Sequence, residues 1–123
     1  ASDGSTIEFG KAQPHPRSYG TYPRILGRYV RELGVLSLPE SIRKMTQLPA
    51  SVLGLTDRGK IKSGYWADLV IFNPNTIIDN ATFDDPHQYP TGITHVMVNG
   101  QVAIENGKHT KSLAGRVLKI INN

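Results

Sequence analysis

The most constraining feature of the chain is a short apolar run, Leu69–Phe72, with turn signals on both sides. Gly59 and Gly64 precede the run, and Asn73 and Pro74 follow it. Glycine supplies the backbone angles of tight turns, and proline removes a hydrogen-bond donor from a strand. A turn is therefore expected at each end of the apolar run. A short run of aliphatic, β-branched and aromatic residues favours a buried strand over a helix. A buried strand needs neighbours on both faces, so the other apolar segments are expected to pack around it.

A β-hairpin is predicted further along the chain. Its first strand is expected over Ile93–Val98, its turn at Asn99 and Gly100, and its second strand over residues 101–104. Asn-Gly between two apolar runs is the strongest local hairpin signal, because both residues tolerate a positive φ. The tail, residues 115–121, is expected to form a short strand or a frayed end.

The N-terminal half is predicted to be helical after an irregular stretch over residues 1–20, where glycines and prolines predict a loop. Apolar residues then recur at helical spacing, with Thr21 as the expected N-cap and Gly34 at the C-terminal end. A second helix is predicted from an N-cap at Ser37, and a third, short helix over residues 49–53. The predicted fold class is therefore α+β, with a loop and helices followed by a small antiparallel sheet.

Composition limits the class of protein. The chain has 123 residues, of which 38% are hydrophobic, enough for one domain with one core. The absence of cysteine excludes disulfides and thiolate sites and fits a reducing compartment. No apolar run is long enough to cross a bilayer, and the first residues do not resemble a signal peptide. We therefore expect a cytoplasmic protein without a membrane partner, with a leader that lies outside the given sequence as the alternative.

The positive charge raises the question of nucleic-acid binding. The net charge is +4 and the pI is about 9.5, but the basic residues are scattered and interleaved with acids. We therefore expect no nucleic-acid partner. Arg24, Arg28 and Arg31 share one side of the first predicted helix and are interpreted as an exposed helix face, with an anion-binding stripe as the alternative.

Several segments of this chain resemble one enzyme family, in the same order and over nearly the whole length. They are Ser2-Asp3-Gly4, His15-Pro16-Arg17, Gly20-Thr21-Tyr22-Pro23-Arg24, Tyr29-Val30-Arg31-Glu32, Ala50-Ser51-Val52-Leu53-Gly54-Leu55, Asp57-Arg58-Gly59-Lys60-Ile61, Gly64-Tyr65-Trp66-Ala67-Asp68-Leu69-Val70, Asp79-Asn80-Ala81-Thr82-Phe83 and Val98-Asn99-Gly100. The family is that of the N-acyl-D-amino-acid deacylases, the D-aminoacylase branch of the amidohydrolase superfamily. The segments within residues 59–72 and 98–100 are common to many amidohydrolases, whereas His-Pro-Arg, Tyr-Val-Arg-Glu and Ala-Thr-Phe are more specific to the deacylases.

The resemblance implies a place for this chain in a larger enzyme. Members of the family combine a metal-bearing (β/α)8 barrel with a small composite β-sandwich built from both ends of the chain. Residues 1–55 would supply the tip of the last barrel strand, a loop and the terminal helices of the barrel. Residues 56–123 would supply the C-terminal part of the sandwich. The implied reaction of the parent enzyme is zinc-dependent hydrolysis of an N-acyl-D-amino acid to a carboxylate and a D-amino acid.

The resemblance also implies roles for two residues. Asp3 matches the aspartate that contacts the zinc-bound water and acts as general base and then as acid to the leaving amine. Arg17 matches the arginine that grips the α-carboxylate of the substrate, for which a guanidinium offers two parallel hydrogen bonds. His15 is expected to shape the loop beside Arg17 without a catalytic role, and Asp68 to be a hydrogen-bonding residue at the start of a strand.

No metal site is expected within this chain itself. In the family the metal ligands come from earlier barrel strands. The four histidines, at positions 15, 87, 95 and 109, are far apart in sequence and show no His-x-His or His-Glu-x-x-His spacing. Zinc is therefore predicted for the parent enzyme and not for this fragment, which is expected to be inactive alone.

A different function follows if the chain folds and works by itself. It would then be a non-catalytic β-rich module that associates with itself or with a partner through exposed sheet edges. In that case Asp3 would be a turn residue that hydrogen-bonds its own backbone before Gly4, and Arg17 a surface arginine.

Overall fold

A computed structural model describes residues 2–118 of the chain. The chain forms two compact units, one from the chain up to Leu38 together with Asn73–Gly92, and one from Pro39–Phe72 together with the chain from Ile93 onward. Helices precede an antiparallel sheet along the chain, which confirms the predicted α+β class. Within residues 2–118, every helix falls short of the length and apolar character that crossing a membrane requires. The cytoplasmic location stays a prediction.

The first helix of the first unit, α1, spans Arg17–Arg24 and begins earlier than predicted. Thr21 is not its N-cap, because the Thr21 hydroxyl donates to the carbonyl of Arg17, 2.9 Å away, from within the helix. Gly20 is a buried helical residue and not part of a loop. A Cβ on Gly20 would lie 2.7 Å from the Cβ of Asp79. The predicted start was wrong because this glycine serves close packing, which local sequence patterns do not distinguish from a turn.

The helix then continues into π-helical turns over Ile25–Glu32. Pro23 lies near the end of α1 and lacks the N–H that an α-helical hydrogen bond requires. Beyond this proline the backbone N–H groups bond to the carbonyl five residues earlier, as from Leu33 to Arg28 at 2.9 Å. The segment ends at Gly34, whose φ of 62° is left-handed, as predicted for the end of this helix.

The π-helical segment packs directly on backbone in the first unit. A Cβ on Gly27 would lie 2.6 Å from the carbonyl oxygen of Ile77 and 3.2 Å from the Cα of Ile78. Ile77 is the most buried large side chain among the described residues, at 1% exposure. Gly92, with a φ of 90°, also approaches this backbone closely, because a Cβ on it would lie 2.6 Å from the Cα of Ile77. Two glycines therefore make room for the core around Ile77.

The arginines of the predicted helix face all have partners in this unit. Arg24 Nη1 lies 3.0 Å from Asp79 Oδ2, and Arg28 forms an ion pair along its own helix. Arg31 donates from Nη1 to the carbonyl oxygen of Ile77 at 2.6 Å. An anion would have to displace these partners, which favours the helix-face interpretation over an anion-binding stripe.

Two further helices follow in the chain. α2 spans Leu38–Met45, directly after the predicted cap Ser37, and α3 spans Gln47–Val52, slightly earlier than predicted. Gly59 has a φ of 80°, and a Cβ on it would lie 2.7 Å from the Cβ of Ala50. The polar segment before the first strand is thus held tightly against α3.

The sheet of the second unit is antiparallel, with its described strands in the order β1-β2-β3-β4. The strands are β1 Leu69–Phe72, β2 Ile93–Val98, β3 Gln101–Glu105 and β4 Lys108–His109. The predicted hairpin is confirmed as β2 and β3. Its turn residues Asn99 and Gly100 have φ of 50° and 81°, as a type I′ turn requires. Residues 115–118 of the tail form no strand, and residues 119–121 lie outside the described residues.

β1 is confirmed as a strand, but it is not buried. Val70 and Ile71 are 53% and 56% exposed, and successive strand residues point to opposite faces of a sheet. β1 lies at one edge of the described sheet and pairs with β2. The prediction of neighbours on both faces was wrong for residues 2–118, because the apolar side chains of β1 stay open to solvent on each face.

Arg58 joins the start of β1 to the β2–β3 turn. Its buried guanidinium pairs with the carboxylate of Asp68 and donates to Asn99 Oδ1 at 2.5 Å. Asp68 also accepts the backbone N–H of Asn99 at 2.7 Å. The ring of Trp66 lies 5.4 Å from the guanidinium carbon, within cation–π range. The predicted hydrogen-bonding role of Asp68 is confirmed.

We expect the isolated 123-residue chain to self-associate through the edge of β1 that no other described strand pairs with, because exposed apolar edge strands recruit other chains. Ile71→Lys should shift the population toward monomer, since a lysine on an edge strand opposes pairing. Light scattering over a range of concentrations measures the effect. Ile61→Lys is the control, because Ile61 is 92% exposed but lies outside the strands. A sharp monomer at high concentration would count against this expectation.

Candidate functional site

Asp3 lies in an N-terminal segment that packs against the first turn of α1. A Cβ on Gly4 would lie 3.2 Å from the Cα of Ser18, and the Ser5 N–H donates to Ser18 Oγ at 3.3 Å. Asp3 itself has a φ of 52°, a left-handed conformation that aspartate tolerates better than most residues. Its side chain is 81% exposed. The segment is therefore placed by its neighbours while the Asp3 carboxylate stays open to solvent.

Arg17 is the first residue of α1. Its backbone N–H donates to His15 Nδ1 at 3.0 Å, so the imidazole serves the helix N-terminus as a capping acceptor. This contact agrees with the predicted loop-shaping role of His15. The guanidinium Nη2 of Arg17 lies 2.7 Å from Asp3 Oδ2. The two residues to which the sequence assigns chemistry are thus in direct contact.

The ion pair between Asp3 and Arg17 is accessible and weak. The two side chains are 81% and 45% exposed. A pair with this exposure contributes about 0–1 kcal/mol, because water and salt screen it. A carboxylate ligand would form the same kind of hydrogen bond with Arg17 that Asp3 forms now. Exchange of Asp3 for a ligand carboxylate therefore costs little.

A cavity of about 410 Å³ opens beside Arg17 within the first unit. Its wall combines apolar and charged side chains. The lining residues are His15, Pro16, Arg17, Gly20, Thr21, Arg24, Asp79, Ala81, Thr82 and Phe83. This volume lies within the range of small-molecule sites, which are mostly apolar with a few placed polar groups. The arrangement can hold a small anion that carries an apolar portion.

A second charge pair lies in the wall of this cavity. Asp79, with a side chain 9% exposed, accepts from Arg24 at 3.0 Å. The hydrogen bond and the charge of Asp79 raise the pKa of Arg24 above its ordinary value. Arg24 is thus neutralised by a nearly buried partner, whereas the partner of Arg17 is exposed. Arg17 is therefore the guanidinium in this wall whose present partner a ligand carboxylate displaces more easily.

Asp79 was missed as a site residue at the sequence level. Its only signal was its place in the segment Asp79-Asn80-Ala81-Thr82-Phe83, which resembles the deacylases without a stated role. Four of these five residues line the cavity, at positions 79, 81, 82 and 83. Sequence similarity identified the segment, but only the structure shows that Asp79 pairs with Arg24 in the cavity wall.

The described residues contain no set of side chains arranged as metal ligands. Within residues 2–118, no group of three or more His, Asp or Glu side chains is arranged to hold an ion. Nδ1 of His15 and both ring nitrogens of His87 make hydrogen bonds to the protein. No chemical step on the described residues is therefore assigned to a metal, and the absence of a metal from this chain stays a prediction.

Comparison with known proteins connects this geometry to a family. The profile of the Amidohydrolase family matches residues 2–104. D-aminoacylase of Alcaligenes xylosoxydans xylosoxydans is 47% identical over 106 residues, which are 86% of this chain and 22% of that protein. A crystal structure of D-aminoacylase superposes with a TM-score of 0.83 at 48% identity, covering 85% of this chain and 22% of the other.

A third relative is the N-acyl-D-glutamate deacylase of Bordetella bronchiseptica, solved with zinc and a phosphonate inhibitor that mimics the tetrahedral intermediate. Its TM-score is 0.74 at 42% identity, over 85% of this chain and 23% of that one. The chain thus spans less than a quarter of the length of each of these relatives. A family profile that matches most of the chain, with relatives above 40% identity, shows that the chain belongs to the amidohydrolase family and is similar to its D-aminoacylases and N-acyl-D-amino-acid deacylases.

Proposed function

We propose that this chain is the C-terminal portion of an enzyme that hydrolyses N-acyl-D-amino acids to a carboxylate and a D-amino acid. The observation that carries the proposal is the pairing of Asp3 with Arg17 at 2.7 Å beside a cavity of small-molecule size. One group transfers protons and the other binds carboxylates, and the substrate class needs both. The names of the relatives point to the same substrate class.

Arg17 orients the substrate in this proposal. Its guanidinium leaves Asp3 and pairs with the α-carboxylate, and two parallel hydrogen bonds fix the direction of the ligand. The release of Asp3 is then coupled to binding, because both carboxylates compete for one guanidinium. Substrate binding thus frees the acid that the reaction requires.

Asp3 moves the protons of the reaction. Hydrolysis of the amide begins with attack of a water on the acyl carbonyl, and the carboxylate of Asp3 takes a proton from this water. The same carboxyl group then gives the proton to the leaving nitrogen, so the D-amino acid departs as an amine. The Asp3 side chain is 81% exposed, so water reaches its carboxylate.

We further propose that the rest of the enzyme lies in residues beyond this chain, which covers 22% of D-aminoacylase. Residues 1–55 then belong to the end of a barrel and residues 56–123 to a sandwich domain. The exposed apolar side chains of β1 support this, because large uncovered apolar surface marks contact with further protein. Zinc, present in the Bordetella relative, would be held by residues outside positions 2–118.

The test is hydrolysis of N-acetyl-D-amino acids by the full-length protein that contains this chain, followed as release of the free amine. We expect turnover of at least one D substrate and little or none of its L enantiomer. The isolated 123-residue chain should give no turnover in the same assay. Absence of amine release from every D substrate offered to the full-length protein would contradict the proposal.

Arg17→Met in the full-length enzyme should raise KM by about 10- to 100-fold, because a charge-assisted hydrogen bond contributes about 1.5–3 kcal/mol. The value of kcat should change much less, since the carboxylate lies away from the bond that breaks. Arg28→Met is the matched control, because Arg28 pairs with Glu32 and does not line the cavity. An unchanged KM for Arg17→Met would remove Arg17 from the binding site.

A further inference from the structure

A single imidazole holds the loop that connects the two site residues. His87 is partly buried, and its Nδ1 accepts the backbone N–H of Gly10 at 3.1 Å. Its Nε2 lies 3.0 Å from the carbonyl oxygen of Ala12. One side chain thus contacts the backbone at both ends of a three-residue turn, far from its own position in the sequence.

The two contacts indicate the tautomer of this imidazole. A backbone N–H can only donate, so Nδ1 must be unprotonated, and Nε2 then carries the proton and donates to Ala12. The Tyr19 hydroxyl oxygen lies 2.9 Å from the same Nδ1 and adds a contact with α1. The His87 ring therefore contacts both the loop and α1.

The loop takes a conformation that it would not adopt by itself. Ala12 has a φ of 58°, which costs about 1–2 kcal/mol for a residue with a Cβ. Such a conformation persists where the surroundings over-determine it. Besides the bond to His87, the neighbouring Gln13 donates from Nε2 to the Phe83 carbonyl at 2.8 Å. The path of the loop is thus set by residues from the segment 83–87.

Aromatic rings pack around His87 and the loop that it contacts. The ring of Phe9 stacks on Tyr89 with centroids 5.0 Å apart, and it meets the edge of His87 at 5.5 Å. Tyr19 meets Phe9 edge-on at 6.2 Å. Pairs with this geometry contribute about 0.5–1.5 kcal/mol beyond their buried area. His87 therefore has a defined position from which to hold the loop.

We propose that His87 is a positioning residue of the deacylase site, which it serves by fixing the loop between Asp3 and Arg17. The inference rests on the proposed function. A connection that is held in one conformation fixes the distance and direction between its two ends. Misplacement of a reacting group by about 1 Å can cost about 10²-fold in rate. His87 itself touches the loop and α1, so it acts through the position of the two site residues.

The experiment compares three variants of the full-length protein. His87→Ala removes both contacts and should lower kcat/KM by about 10- to 100-fold, mainly through kcat. His87→Asn keeps an acceptor near the place of Nδ1 and should recover part of the loss. His95→Ala is the matched control, because it removes an imidazole of the second unit that lies outside this site. If the variants melt at the same temperature as the wild-type protein, a loss of kcat/KM reflects misplaced site residues and not unfolding.

Amide hydrogen exchange provides a readout that does not depend on activity. In His87→Ala, the Gly10 amide and its neighbours should exchange faster than in the wild-type protein, while α2 and α3 stay unchanged. Wild-type exchange in this variant, or a full kcat/KM, overturns the proposal for His87. If the wild-type protein hydrolyses no N-acyl-D-amino acid, the proposed function is wrong, and hydrogen exchange still decides whether His87 holds the loop.

Discussion

Asp3→Asn in the full-length enzyme should lower kcat by about 10²- to 10⁴-fold, the range that a positioned general acid–base contributes. Asparagine keeps the shape of the side chain but cannot take a proton from water. KM should stay the same or fall, because the amide competes less well than a carboxylate for Arg17, 2.7 Å away. Steady-state kinetics on an N-acetyl-D-amino acid measures both constants.

Glu8→Gln is the matched control for this prediction. Glu8 is a second exposed acid of the N-terminal segment, and its carboxylate lies 2.9 Å from Lys11 Nζ. The side chains of Glu8 and Lys11 are each 70% exposed. Its loss should leave kcat within about twofold, because exposed ion pairs contribute about 0–1 kcal/mol. A near-normal kcat for Asp3→Asn would show that the proton-transfer role belongs to another residue.

Gly27→Ala should destabilise the protein by about 2 kcal/mol, and Gly27→Val by more. A Cβ at this position would lie 2.6 Å from the Ile77 carbonyl oxygen and 2.5 Å from the Cδ1 of Ile78. Alanine favours a helix over glycine by about 1 kcal/mol, but overpacking against backbone costs about 1–3 kcal/mol or more. The clash prevails because a backbone oxygen in the core cannot move aside as a side-chain tip can.

Calorimetry or thermal unfolding by circular dichroism checks this destabilisation as a lower Tm. Gly115→Ala is the control, because a Cβ on Gly115 would meet no atom within 4 Å. An unchanged Tm for Gly27→Val would mean that the helix does not pack against the backbone at Ile77.

Local features of the fold could be predicted because their causes lie within a few residues. The hairpin turn at Asn99 and Gly100 needs only two residues that accept a positive φ. β1 needs only a short apolar run, and α2 begins directly after Ser37, the residue predicted as its cap. The exposure of Val70 and Ile71 could not be predicted, because burial depends on what packs over a strand and not on its own composition.

The candidate site was predicted through family resemblance and not through local pattern. Asp3 and Arg17 carry no motif that marks them without the family, and their contact became visible only in three dimensions. The start of α1 was missed because Gly20 looks like a breaker in sequence and is a packing residue in the fold. His87 was missed because its partners Gly10 and Ala12 are more than 70 positions away.

The most direct measurement is a crystal structure of the full-length protein with a phosphonate analogue of an N-acyl-D-amino acid. We predict that the Arg17 guanidinium pairs with the carboxylate of the ligand. Asp3 should have left Arg17 and lie within hydrogen-bond distance of the phosphonate that replaces the reacting carbonyl. A ligand bound away from both residues, with the pair between Asp3 and Arg17 intact, would contradict the assignment of this site.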